Sequence, residues 1–149
     1  MILKFNRNDF SISKFEIKGI NDELLYRGIY DFSYKNRLRI YDAKDNELGY
    51  IQYKNLSSIN EIALFDIQDN KIAYIDKVDD LNNIEVKPLD FHIIGDLNNW
   101  NIKVVDSKDN VLLETENESQ INLIDETNLM TCLFCILAVA DINELNKLN

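Results

Sequence analysis

Proline and glycine are scarce: one Pro and four Gly in 149 residues. That excludes a flexible linker, and one domain over residues 1–149 is expected. Histidine occurs once and cysteine twice, and no catalytic motif is present. Positive charge is in the minority: 16 Lys and Arg face 26 Asp and Glu, a net −10. A chain that must neutralise phosphates needs the opposite balance, so a nucleic-acid binder is excluded. Also missing is an apolar run long enough for a membrane span, which takes about 20 residues. The longest, residues 129–142, is shorter and reaches Asp141; a tail anchor is set aside on both grounds. Residues 1–7 carry no apolar stretch behind their charges, so no secretory signal is expected. The two cysteines lie inside the apolar run and not as a disulfide framework, and a reduced, cytoplasmic protein is expected.

What is there begins with that run, Leu-Met-Thr-Cys-Leu-Phe-Cys-Ile-Leu-Ala-Val-Ala-Asp-Ile. It has no polar face at any helical phase, so its helix must be buried on every side. The rest of the chain alternates apolar and polar residues. Short strands are expected near 2–5, 10–17, 23–31, 37–42, 47–53, 61–66, 71–76, 83–87, 90–95, 100–105, 111–116 and 119–124, then a helix from about 126. A slip in alternation between Ile12 and Phe15 suggests a β-bulge.

Three segments repeat one pattern: 40–48, 64–72 and 104–112. Each has two apolar residues, Asp, two spacers, Asp-Asn, one spacer and an apolar residue, which reads as a β-hairpin. The turn is expected to place Asn46, Asn70 and Asn110 in left-handed backbone, which Asn tolerates. The Asp side chains are expected to bond the turn backbone.

Evenly spaced strands argue a sandwich or barrel. Twelve strands would leave a lumen that needs filling. A helix about 10–12 Å across and about 21 Å long matches strands of about 17–20 Å. The expected fold is therefore all-β with one central helix: about twelve antiparallel strands in a barrel enclosing the apolar C-terminal helix. Small residues there (Thr131, Cys132, Cys135, Ala138, Ala140) let the wall approach, and Asp125 or Thr127 caps the start. Asp141 would oppose the helix dipole at a C-terminus, which is tolerable if the helix runs on through Ile142 and Leu145 or if Asp141 accepts a hydrogen bond at the barrel mouth.

The order of elements, with Leu137 to Ile142 at the helix end, Ile94-Gly95-Asp96 opening the second half and Trp100 to Asp106 after it, resembles the LURP-one-related family. The chain looks like a bacterial member, consistent with its Asn-, Lys- and Ile-rich composition. That family belongs with the tubby C-terminal and phospholipid-scramblase folds, a twelve-stranded barrel around a hydrophobic helix. The resemblance implies a tubby-like barrel with no established reaction. Tubby relatives bind phosphoinositide head groups through basic residues on the wall, and scramblase relatives act at membranes.

Charge is uneven. Residues 1–54 carry ten Lys and Arg against eight Asp and Glu, net +2, and the remainder is net −12. Any anion site should lie in the first third. With Leu38 and Ile40 inward, Arg37 and Arg39 point outward together, with Lys35 just before them and Arg27 on the neighbouring strand. Such a row can hold a phosphate; alternatively it is a solvated face paired to acids. Cys132 and Cys135 form Cys-x-x-Cys among Leu, Phe and Ile, and read as core residues, not as a redox or metal pair. His92 alternates with Phe91 and Ile93 and is expected on the outer surface. The Asp-x-x-Asp-Asn spacing lacks the ligand alternation and Gly of a calcium loop. The expected function is a non-enzymatic binding module for a lipid head group or other small anion, peripheral to the membrane, at Arg27, Lys35, Arg37 and Arg39. The alternative is a protein-interaction or scaffold domain using the acidic surface. No cofactor and no metal is expected.

Overall fold

The structure, a computed structural model, describes residues 1–5, 14–31, 37–56, 59–76 and 78–147; for 14, 54–56, 59–60 and 141–147 it describes the backbone only. The strands are β1 (Ile2–Lys4), β2 (Lys14–Lys18), β3 (Leu24–Asp31), β4 (Arg37–Asp42), β5 (Glu47–Leu56) and β6 (Ile59–Asp66). They continue as β7 (Lys71–Ile75), β8 (Asn83–Val86), β9 (Phe91–Asp96), β10 (Asn101–Val105), β11 (Val111–Asn117) and β12 (Gln120–Leu123). A 3₁₀ turn, Glu126–Asn128, leads into α1 (Leu129–Lys147). Each expected strand has its counterpart. The expected start of the second strand at 10–13, and the bulge after Ile12, lie outside the described residues.

All neighbours are antiparallel, in the order β7-β6-β5-β4-β3-β2-β1-β12-β11-β10-β9-β8. A bridge between Tyr74 and Lys87 brings the last two edges together, so the sheet is a nearly closed barrel. Alternation fixes what fills it. Leu3, Ile17, Leu38, Ile40, Ile51 and Leu64 point inward with at most 2 % exposure. Every residue of α1 from Thr131 to Ala140 is buried. The wall thus encloses the helix, whose backbone comes within 8 Å of β6. Asp125 starts the entry: its carboxylate accepts the Thr127 N–H at 3.0 Å, satisfying a donor that a helix start leaves open, and also the Asn128 side-chain amide at 2.8 Å. The helix runs on past Asp141 to Lys147, so Asp141 is not a C-terminal residue of α1.

The three repeated turns are near-identical. The Asp42 N–H donates to the Asn46 carbonyl at 3.0 Å, and the Asp45 N–H donates to the Asp42 carbonyl at 3.1 Å. The Asp42 carboxylate accepts the Lys44 and Asn46 N–H groups, each at 2.9 Å, and the Asn46 side-chain amide at 3.2 Å. Asp66–Asn70 and Asp106–Asn110 repeat these bonds. The left-handed residue is not the Asn, as the sequence suggested, but the Asp before it: Asp45 (φ 66°), Asp69 (66°) and Asp109 (63°). The reason is that the loop is a type I turn plus one left-handed residue before the chain rejoins the ladder. The Asn is the rejoining residue, held from two sides by the first Asp. Gly19–Glu23 forms the same backbone turn, with Asp22 at φ 65°, without the leading Asp. In an antiparallel meander alternate connections share an end, so all four turns lie where α1 enters.

Two outcomes follow for stability. Phe134 is 0 % exposed, so Phe134→Ala should lower the unfolding free energy by about 3–5 kcal/mol in urea titration. Phe134→Asp should leave no cooperative transition, because it buries an unpaired charge; a cooperatively melting Phe134→Asp protein would contradict the enclosed helix. The second concerns acid. Hydrogen bonds from Asn46, Asn70 and Asn110 hold the carboxyls of Asp42, Asp66 and Asp106 below the usual carboxylate range. Their stabilisation is therefore complete above the unfolded-state pKa of about 3.9 and fades as pH falls through the lowered folded values. The triple variant Asp42→Asn/Asp66→Asn/Asp106→Asn should melt lower than the parent at pH 6, and the gap should narrow as pH falls below the unfolded-state range. A gap independent of pH would mean that the charge contributes nothing.

Candidate functional site

The three arginines meet on one patch of the outer wall. In the β3–β4 ladder Arg27 faces Tyr41, Ile29 faces Arg39 and Asp31 faces Arg37; across β4–β5, Arg37 faces Gln52 and Arg39 faces Tyr50. Directly opposed residues share a face, so Arg27, Arg37, Arg39, Tyr41 and Tyr50 all point outward, as alternation predicted for the arginines. Lys35 lies outside the described residues.

Each guanidinium has a specific setting. Arg39 donates from Nη1 to Glu47 Oε1 at 2.8 Å and from Nε to Asp31 Oδ2 at 3.4 Å. Its pKa is raised further, first by the Glu47 hydrogen bond. Arg27 reaches Asp45 Oδ1 from Nη2 at 2.7 Å and from Nε at 3.0 Å, and lies over the Tyr41 ring at 5.1 Å. Arg37 sits over the Tyr50 ring at 4.2 Å. That ring stacks on Phe65 at 5.0 Å and 10°, and its hydroxyl donates to Asp69 Oδ1 at 2.7 Å. Desolvation, then the bond to Asp69, pushes the Tyr50 hydroxyl up to about 12, so it is a neutral donor at physiological pH.

The patch is thus a network of cation, carboxylate and ring. Arg27 and Arg39, with side chains 32 % and 26 % exposed, already hold carboxylates. An anionic ligand would have to displace Asp45, Asp31 and Glu47. The sequence located the arginines, but these partners and the Tyr50–Phe65 stack escaped it. The available signal was the outward alternation of Tyr50 and Gln52 with Ile51 on β5.

Elsewhere the side chains stand as follows. Cys132 and Cys135 are buried and free of disulfide, and burial pushes the Cys132 thiol up to about 12 and Cys135 well above its usual value. A reactive thiol needs the reverse shift. His92 faces outward between Asn83, 2.9 Å from Nδ1, and Asp90, 3.3 Å from Nε2. Among the described residues, no group of three or more His, Cys, Asp or Glu is arranged to hold a metal ion, and no helix is long and apolar enough to cross a membrane.

No family model and no curated protein matches this chain. Among solved structures, the X-ray structure of a protein from Arabidopsis thaliana is similar, with a TM-score of 0.66 at 13% identity over 95% of this chain and 90% of that one. At that identity the likeness concerns the fold: the twelve-stranded barrel around a C-terminal helix is an architecture this chain shares with a solved protein.

Proposed function

We propose that this chain is a non-enzymatic, protein-binding module of the LURP-one-related kind, working in the cytoplasm through the outer face of β3–β5. The observation that carries this reading is that the arginines of that face are already engaged. Arg27 and Arg39 hold carboxylates, and Arg37 lies on Tyr50. A face of neutralised Arg and Tyr, with Ile29 42 % exposed beside Arg39, has the composition that anchors protein interfaces. The net charge of −10 opposes approach to an anionic membrane. The acidic turns at the end where α1 enters favour a partner with basic groups near its contact surface.

A second reading, an anionic ligand such as a lipid head group, draws on the three guanidinium groups sharing one face. Co-sedimentation with neutral, phosphatidylserine and phosphoinositide vesicles separates the two. No binding to any vesicle at physiological salt is expected. Binding to anionic vesicles that is lost in Arg37→Ala/Arg39→Ala would replace the protein reading with the lipid one. In affinity capture from the source cells, a discrete partner should be retained by the parent chain. It should bind Ile29→Asp at least about tenfold more weakly, as expected at an interface centre, with the circular dichroism of the chain unchanged. Equal capture by both chains would remove this face from consideration.

A further inference from the structure

The sheet order starts at β7 and finishes at β8, and these edges meet in one bridge. The Tyr74 N–H donates to the Lys87 carbonyl at 2.8 Å, and the Lys87 N–H donates to the Tyr74 carbonyl at 2.9 Å. On their other sides the two strands are held better. β7 is registered to β6 over four residue pairs and β8 to β9 over four. In an antiparallel pair the next groups facing the seam lie two residues from a hydrogen-bonded pair, here at Ile72 and Asp76 on one side and Glu85 on the other. Among the described residues no backbone bond joins these across the seam.

Among the described residues, the ion pair across the seam is an exposed one. Lys87 Nζ lies 3.3 Å from Asp76 Oδ1, with both side chains more than a third exposed. Such pairs contribute little. Lys71 turns away to lie over the Tyr74 ring at 4.3 Å and to pair with Glu61, so it stays on the β6–β7 side. Directly behind the bridge, Ile75 and Val86 face the core at 1 % and 0 % exposure. The connections flanking the seam carry exposed apolar residues: Val78 (39 %) and Leu81 (40 %) on one, Leu89 (37 %) on the other.

We propose that the barrel opens along the β7–β8 seam in a step smaller than global unfolding, β7 remaining with β6 and β8 with β9. Proteins open where few bonds and little buried area are lost. Among the described residues, the bonds across the seam are two backbone hydrogen bonds and one exposed ion pair. The opened seam joins Ile75 and Val86 to Val78, Leu81 and Leu89 as one apolar slot into the interior. This inference is independent of the protein-binding face.

The test compares two buried valines on the inner wall. Val86 lies behind the seam; Val104 lies in β10, laddered on both sides, and both are 0 % exposed. Val86→Cys and Val104→Cys chains are exposed to a thiol-alkylating reagent in native buffer and low urea, and the labelled positions are found by peptide mass spectrometry. The fluorescence of Trp100, the sole Trp, follows global unfolding. The introduced thiol should label at least about tenfold faster at position 86 than at 104, with a weaker urea dependence than the Trp100 signal. Equal rates and equal urea slopes at both positions would overturn the proposal. Amide exchange on the unsubstituted chain gives a second readout should either variant fail to fold. The Tyr74 and Lys87 amides should exchange together, with less urea dependence than the amides of the β9–β10 ladder. Exchange of both sets only with global unfolding would equally overturn it.

Discussion

A helix without a polar face cannot rest on a surface, and that constraint organises this molecule. From Thr131 to Ala140 every α1 residue is buried, so the wall must cover the helix on all sides. A sheet meets that demand only by curling round on itself. Twelve short strands provide the circumference, and tight turns keep consecutive strands adjacent. The Asp-led turns follow from the same demand: a three-residue loop reverses the chain within the width of one strand pair.

Much of this was legible because its signals are local. Alternation marks a strand wherever one face meets an apolar core, and the lack of a polar face marks the enclosed helix. The repeated Asp and Asn mark the reversals. The conformation inside the turns was misplaced by one residue. Asn is the familiar left-handed residue, but here its amide is used to bind Asp42, Asp66 or Asp106, and the preceding Asp takes the unusual φ. The turn at Gly19–Glu23 shows that backbone geometry, not the Asp, is the common element; the Asp carboxylate reinforces it. Trp100 makes a related point. It has a φ of 56° and 2 % exposure, a conformation a bulky residue adopts only when its surroundings hold it there. Phe5, 6.0 Å away ring to ring, is one such neighbour.

The candidate site was legible only in part. Period two is enough to put Arg37 and Arg39 on the outside together. It does not say which carboxylates meet them, because those pairs depend on register. Asp31 and Glu47 are each eight residues from Arg39, and Asp45 is eighteen from Arg27. With the register known, a row of cations becomes a neutralised network carrying aromatic rings.

The chain also has a fixed order of assembly. β1 lies between β2 and β12 in the sheet, with Ile2 opposite Asn122, and the Met1 ammonium donates to the Leu123 carbonyl 122 residues away. The helix that fills the lumen comes later still. During synthesis, ten or more strands therefore exist before either their closing neighbour or their filling has left the ribosome. Pairing over such separations is slow because loop-closure entropy must be overcome first. The inward faces of β2–β11 thus remain uncovered until α1 has been made.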